Sequence, residues 1–476
     1  MEKQLYINGQ WVEAKQHMSI QSPYSGKEIA SIAAASKEQV TEAIEAAHRA
    51  KEQMRNLTSQ ERASILFSIA DQFAEKKEEA ARIISSESGK PLKFALAEIE
   101  RTIETYRFAG EEAKRLVGEM IPMDAAKTGK SRFGYTVPEP IGVIGAITPF
   151  NFPQNLVAHK VGPAIASGNP IVLKPASQTS LSALFLAELI AKTNLPKGGF
   201  NLVTGSGGVV GDALVGHPLV KMITFTGSPS VGIGIRNKAG LKRVSLELGS
   251  NSGLIIDEGV NLEKIAGKCV VGAFSNQGQV CISLQRIYVM ESQYDEFVSL
   301  FTEKAKALRS GPPEDMETDI SAMIHPKEAQ RAKEWIDEAV SNGAELLSGG
   351  EIKDNILEPT ILGGVDSSLK ISCEEIFAPV VLVNKIASIE EGVSQINDSQ
   401  FGLQAGIFTK DIEKATYASK QLEVGGVMIN DIPTYRVDQM PYGGVKNSGL
   451  GKEGLKYAIH EMTEFKLIVW NQEGGY

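Results

Sequence analysis

Ile141-Gly142-Val143-Ile144-Gly145-Ala146-Ile147-Thr148-Pro149-Phe150-Asn151-Phe152-Pro153 is an apolar run ending in a turn that two prolines stiffen. The run reads as a strand, and the segments after it repeat the pattern. Apolar strand candidates fall at 171–173, 200–203, 222–225 and 244–246, separated by helical stretches near 156–166, 180–193, 209–215 and 231–238. Strands alternating with helices of this length predict a parallel, doubly wound sheet that binds ligands at its strand C-terminal ends. After Gly249 a second series begins, with strands near 254–256, 286–290, 379–383, 405–408 and 427–429 and helices near 261–274, 294–310, 326–341 and 411–420. The fold class is therefore α/β, with a domain boundary near Gly249.

Up to about residue 33 the chain alternates around Asn8-Gly9 and Pro23-Tyr24-Ser25-Gly26, which reads as hairpin-like strands. Ser36-Lys37-Glu38-Gln39 and Thr58-Ser59-Gln60-Glu61 have capping-box spacing. The first opens a helix with Val40, Ile44 and Ala47 on one face. The second opens a helix carrying Leu66, Ile69 and Phe73 as far as Ser88, where Gly89-Lys90-Pro91 stops it. Another helix is expected over 92–118. Between Pro122 and Pro140, Lys127-Thr128-Gly129-Lys130 separates short alternating segments into a two-stranded excursion. Glu464-Phe465-Lys466-Leu467-Ile468-Val469-Trp470 reads as a strand with no obvious place in a finished sheet. Exposed edges of this kind need covering, and a second subunit would cover them.

A chain of 476 residues is too long for one ordinary core, so two or three domains are expected. A net charge of −9 without any Lys/Arg cluster argues against nucleic-acid binding, though not against a local cationic pocket. The N-terminus lacks the charged-then-apolar pattern of a signal peptide, and no apolar run reaches bilayer length. Cys269, Cys281 and Cys373 cannot all pair and lack metal-ligand spacing, which suits a reducing cytoplasm. The six histidines form no HExxH-type cluster, so no catalytic metal is expected.

Five positions could carry chemistry. Cys281, in Ser275-Asn276-Gln277-Gly278-Gln279-Val280-Cys281-Ile282-Ser283, is either a buried small hydrophobe or a nucleophile held on a loop between rigid elements. Asn151 either caps the next helix or offers the fixed amide donor of an oxyanion hole. Lys174, leaving a strand in Lys174-Pro175-Ala176-Ser177, is a solvated lysine or a donor to sugar hydroxyls or phosphate. In Phe225-Thr226-Gly227-Ser228 a strand runs into a helix. Gly227 allows close approach there, and Ser228 with the helix N-terminus can hold a pyrophosphate. Glu247, among apolar neighbours in Leu246-Glu247-Leu248-Gly249, is a desolvated general base or half of an ion pair with Lys242 or Arg243.

Taken together these motifs resemble the NAD(P)-dependent aldehyde dehydrogenase superfamily over essentially the whole chain. Pro149-Phe150-Asn151-Phe152-Pro153, Leu173-Lys174-Pro175-Ala176-Ser177, Phe225-Thr226-Gly227-Ser228, Leu246-Glu247-Leu248-Gly249, Gly278-Gln279-Val280-Cys281, Glu375-Ile376-Phe377-Ala378-Pro379 and Pro441-Tyr442-Gly443-Gly444 occur in the family's order. The resemblance implies a Rossmann-like cofactor-binding domain (1–121 and 138–249), an α/β catalytic domain (250–450) and a small β oligomerisation flap (122–137 and 451–476). It implies that Cys281 attacks the aldehyde while Asn151 and the Cys281 N–H hold the oxyanion. Hydride then passes to the nicotinamide, and water activated by Glu247 hydrolyses the thioester. Thr148, Pro149, Phe150, Lys174, Ser177, Gly227, Ser228, Leu248, Glu375 and Phe377 match cofactor-binding positions. NAD is favoured; NADP is tolerated, because Ser177 stands where many NAD-preferring relatives carry an acid that repels the NADP phosphate. The usual glycine and lysine after Leu-Glu-Leu-Gly are replaced by Ser250-Asn251, which can alter the loop after the base.

Arg107, Arg436 and His159 resemble positions that hold the anionic tail of an aldehyde, whereas Val280 stands where phosphate-binding relatives often place an arginine. The expected partner is a short anionic or hydroxylated aldehyde such as succinate semialdehyde, lactaldehyde or a phospho- or sulfo-aldehyde. A homo-oligomer, dimer or tetramer, is expected, with no nucleic acid and no membrane. The alternatives are a CoA-acylating dehydrogenase, which Glu247 disfavours, and a non-catalytic relative, against which the joint presence of Asn151, Glu247 and Cys281 counts.

Overall fold

The structure is a computed structural model and describes residues 2–473. Met1 and residues 474–476, the end of the expected flap, lie outside it. Five parallel strands form the middle of the first sheet: β1 (Val143–Ile147), β2 (Ile171–Lys174), β3 (Phe200–Leu202), β4 (Val220–Thr226) and β5 (Arg243–Glu247). Their order is β5-β4-β1-β2-β3, with antiparallel Leu5–Ile7 and Gln10–Val12 beyond β3 and Gly449–Leu450 beyond β5. Successive side chains point to opposite faces. Ile144, Ala146, Ile171 and Leu173 therefore enter one apolar cluster, and Val143, Ile147 and Val172 the other. Helices Leu92–Ala113 and Asn155–Ala166 cover the first face, and Lys37–Asn56 covers the second.

Because the order reverses at β1, a crevice opens beyond the ends of β1 and β4. The register aligns three site segments along it: Ile147 beside Lys174, Phe225 beside Ile147, and Thr226 beside Glu247.

The second sheet repeats this scheme. Strands β6 (Gly253–Ile256), β7 (Arg286–Met290), β8 (Val380–Ile386), β9 (Gln404–Phe408) and β10 (Gly426–Ile429) run in the order β8-β7-β6-β9-β10, with Thr360–Gly363 and Glu345–Ser348 outside β8. The sequence expectation for both series is met to within a few residues at each end. A third sheet pairs Thr463–Asn471 antiparallel with Arg132–Pro140, which also pairs Met120–Ile121. Thus the excursion and the C-terminal strand join each other. Thr463–Asn471 is an edge exposing Phe465, Leu467, Val469 and Trp470.

Three expectations shift. The helix expected through Ser88 breaks at Lys76 into Ser59–Glu75 and Lys77–Ser88, which lets Phe73, Ala80, Ala81 and Ile84 all reach one cluster. The helix expected over 92–118 ends at Ala113. The segment assigned to the flap from residue 451 first folds as helix Leu455–Glu461, whose Leu455 and Ile459 bury with Val161 and Ala109 in the first core. Among the described residues, no helix is long and apolar enough to cross a membrane.

Candidate active site

Cys281 follows a strained loop. Helix Leu262–Phe274 runs into a turn at Ser275–Gly278, where Asn276 (φ 52°), Gln277 (φ 55°) and Gly278 (φ 67°) are all left-handed. A Cβ on Gly278 would lie 2.0 Å from the Ala378 carbonyl oxygen, so only glycine fits. Left-handed non-glycine residues cost on the order of 1 kcal/mol each and persist where neighbours over-determine them. Here buried amides do so. Gln277 donates to the carbonyls of Gly89 and Ala322, both at 2.9 Å, and the Gln279 side-chain oxygen accepts from the Ile324 N–H at 3.0 Å.

The thiol stands where two cavities meet. The larger, about 940 Å³, is lined by Thr148, Pro149, Phe150, Asn151, Gly227, Ser228, Glu247, Leu248, Glu375 and Phe377 together with Cys281. The smaller, about 580 Å³, is lined by Cys281, Arg101, Asn155, Thr434, Arg436 and Tyr442 among others. Two sequence-derived cofactor residues, Lys174 and Ser177, are not among those lining the larger cavity, although Ala176 and Gln178 between and beside them are. Lys174 turns its ammonium to the Pro175 carbonyl at 2.8 Å, and burial pulls its pKa down to about 8. Ser177 donates to the Gly205 carbonyl at 3.0 Å.

Asn151 is buried and donates its amide to the Gln279 carbonyl at 3.0 Å, which ties the β1 turn to the cysteine loop. An amide nitrogen has two hydrogens, so one remains for a ligand. Glu247, the last residue of β5, is buried with neither carboxylate oxygen hydrogen-bonded. Burial pushes its pKa well above the carboxylate range and the Glu453 charge adds to this, while Arg436, Lys160 and Lys452 oppose it. Glu375 accepts from the Ser250 N–H at 2.9 Å, and a Cβ on Gly249 would sit 2.5 Å from its other oxygen. The unusual loop after the base thus supplies Glu375 with a donor. Burial pushes the Glu375 pKa up to about 7. Phe377, at φ 49°, meets Phe150 edge-on with centroids 5.9 Å apart.

Burial pushes the Cys281 pKa up to about 11. The hydrogen bond with Tyr442, Sγ to Oη 2.8 Å, leads the opposing influences, and the Arg436 charge follows.

Of the three expected anion-binding residues, one lines the smaller cavity. Arg436 does, with its guanidinium 3.6 Å over the Tyr442 ring and 3.0 Å from Glu453, and its buried Nε has no partner. His159 lies behind the wall, fully buried, its Nε2 2.8 Å from Asp438 and 3.2 Å from Arg436; burial and the Arg436 charge lower its pKa. Arg107 is on an exposed face of helix Leu92–Ala113, 3.5 Å from Asp71, and takes no part in the site. Its helix does deliver an arginine, but it is Arg101, which pairs with Asp438 through Nε at 3.1 Å and a terminal nitrogen at 2.7 Å. Asp438 also accepts from Asn155 at 3.0 Å; its contact with His159, and then the Arg101 pair, hold its carboxyl well below the usual range despite burial. Glu453 pairs with Lys160 at 3.0 Å as well as with Arg436. Sequence reasoning missed Arg101 and Glu453. Tyr442 was quoted only as part of a motif.

A doubly wound α/β sheet with a thiol, an amide donor and a desolvated carboxylate gathered at its crevice defines a class of oxidoreductase-like site, and comparison with known proteins places it. Residues 11–468 match the model of the aldehyde dehydrogenase family. The 3-sulfolactaldehyde dehydrogenase of Priestia aryabhattai is 46% identical over 468 residues, covering 98% of each chain. The structure of aldehyde dehydrogenase 21 from Physcomitrella patens, in complex with the reaction product succinate, superposes with TM-score 0.97 at 39% identity, covering 100% of this chain and 99% of that one. The NADP-dependent glyceraldehyde-3-phosphate dehydrogenase from Bacillus halodurans C-125, complexed with NADP, gives TM-score 0.97 at 39% identity, covering 99% of this chain and 100% of that one. The chain belongs to the aldehyde dehydrogenase family and is an enzyme that oxidises aldehydes.

Proposed function

We propose that the protein oxidises a short, anionic, hydroxylated aldehyde to its carboxylic acid with NAD or NADP, through a thioester on Cys281. The observation that carries this reading is the placement of Cys281 on both cavities, with Arg436 and its unpartnered Nε lining the smaller one. Arg101 and Arg436 both line the smaller cavity, and an anionic tail there would meet their positive charge. Sulfolactaldehyde, glyceraldehyde 3-phosphate and succinate, named for the three relatives, are all anionic, and the first two carry a hydroxyl.

The larger cavity suits a dinucleotide. Ser228 stands at the N-cap position of helix Pro229–Lys238, whose N-terminus favours a pyrophosphate, and Gly227 leaves the backbone approachable. Glu375 would accept from a ribose hydroxyl, with Phe150 and Phe377 framing the nicotinamide side. No carboxylate occurs from Lys174 to Gln178 to repel an NADP phosphate. When bound, the nicotinamide accepts the hydride leaving the aldehyde carbon. Cys281 Sγ adds to the carbonyl carbon, and the displaced π pair settles on oxygen, where the Asn151 amide and the Cys281 N–H donate to it. After oxidation, Glu247 takes a proton from the water that attacks the thioester, and Sγ departs as thiolate. Residues 1–121 and 138–249 would form the cofactor unit, 250–450 the catalytic unit, and 122–137 with the C-terminal strand a flap. The exposed apolar edge Thr463–Asn471 supports self-association as a dimer or tetramer, to be checked by light scattering. Free cysteines at 269, 281 and 373 suit a reducing cytoplasm.

The test is the absorbance of reduced cofactor with anionic and size-matched neutral aldehydes, using NAD and NADP, with and without CoA. Turnover on the anionic set without CoA is expected; preference for neutral aldehydes, or dependence on CoA, overturns the proposal. Arg101→Ala should lower kcat/KM on anionic aldehydes by roughly 10- to 100-fold through KM, about the worth of one charge-assisted hydrogen bond. Arg107→Ala should change it by less than about 2-fold, as for an exposed ion pair.

A further inference from the structure

Tyr442 is held by an unusually closed arrangement. It exchanges both backbone hydrogen bonds with Glu453, at 3.1 and 2.7 Å. The Glu453 carboxylate holds Arg436 at 3.0 Å, and Arg436 lies 3.6 Å over the ring of the same Tyr442. The circuit holds the ring from its backbone and its face, and the phenol oxygen meets Cys281 Sγ at 2.8 Å. A guanidinium on the ring face draws on the π density and makes the O–H a stronger donor. The phenol itself is buried, which disfavours its anion and keeps it protonated.

We propose that Tyr442 is a further catalytic residue, donating its hydroxyl hydrogen bond to the Cys281 thiolate. The thiol gives its proton to water before attack, and the resulting sulfur anion is met by Tyr442 O–H, which keeps its own proton throughout. When the thioester is hydrolysed, the C–S bond breaks with its electron pair going to sulfur, and the same O–H receives the charge again. The tyrosine thus acts at both steps in which sulfur is anionic, whereas Asn151 acts where oxygen is. The inference rests on Cys281 as the nucleophile but not on any particular aldehyde.

The experiment is therefore alkylation of Cys281 by a neutral iodoacetamide, followed by peptide mass mapping, across pH, in the full-length protein and in Tyr442→Phe. The ring and its stacking on Arg436 survive this change. The other charged or titratable groups acting on Sγ, namely Arg436, Glu247 and Glu375, are left in place. The midpoint should rise by about one to two pH units, and the rate at neutral pH should fall by roughly 10-fold or more, as for the loss of a hydrogen bond to an anion. In turnover, kcat should fall with KM nearly unchanged. If Tyr442→Phe does not fold, fluorotyrosine placed at 442 makes the O–H a stronger donor and should move the midpoint down. An unchanged midpoint in whichever variant folds, or a change in KM alone, overturns the proposal and leaves Tyr442 as packing. Failure of the substrate reading would leave the alkylation result intact.

Discussion

Cys281→Ser is expected to abolish aldehyde oxidation, lowering kcat/KM on the order of 10⁴-fold or more while cofactor affinity stays within about 2-fold. The size of the loss follows from what surrounds the side chain. A serine hydroxyl ionises far less readily than a thiol, and burial already pushes the Cys281 pKa up to about 11. The groups that help the thiol, Tyr442 and Arg436, donate or carry positive charge, and neither takes a proton. His159, behind the wall of the smaller cavity, is turned towards Asp438 and buried against Arg436. The cavity proposed for the cofactor is lined by the β1 and β4 ends and Glu375, which the substitution does not touch. Titration of cofactor fluorescence against turnover separates the two effects. Retention of more than a hundredth of wild-type activity would show that another group attacks the aldehyde.

The parts of this molecule legible in sequence are those whose signal is local. Apolar runs on β1, β2, β4 and β5 mark strands because both faces of the sheet are covered, so each run lacks polar interruption. Glu247 and Asn151 are legible because each follows such a run and so emerges at the ligand-binding edge. Arg107 and Arg101 mark the limit. Both lie on helix Leu92–Ala113, and which side of that helix faces the cavity depends on Asp438, distant in sequence, to which Arg101 is bound. Gly449–Leu450 closing the edge of the first sheet, and Leu455 and Ile459 completing its core, are likewise tertiary facts that no local period announces. Lys174 carried a strand-end signal, yet its ammonium folds back onto its own backbone neighbour.

Glu247→Gln is expected to leave the first half of the reaction and stop the second. The amide keeps the shape of the carboxylate but cannot accept a proton from water, so thioester hydrolysis should slow by about 10²- to 10⁴-fold. Reduced cofactor should then appear as a burst equal to the enzyme concentration, with the acyl group found on Cys281 by mass mapping. Glu453, the buried acid whose charge acts on Glu247, is a weak base, because Lys160 and Arg436 hold its pKa at about 2. The sign of the pH dependence follows from Glu247 itself. Burial raises its pKa, so the carboxylate needed for deacylation is lost as pH falls through a value above the ordinary carboxylate range. Wild-type kcat should therefore rise with pH over that interval, and the residual rate of Glu247→Gln should lack this limb. Added CoA offers a thiol that can attack the stalled thioester without a base and should restore slow turnover in the variant alone. If the variant shows no burst, Glu247 is needed before hydride leaves; if it turns over normally, the water is activated elsewhere. The two outcomes separate a role in acylation from none at all, and only the burst with a trapped acyl group fits a base that waits, desolvated and unbonded at the end of β5, for the thioester to form.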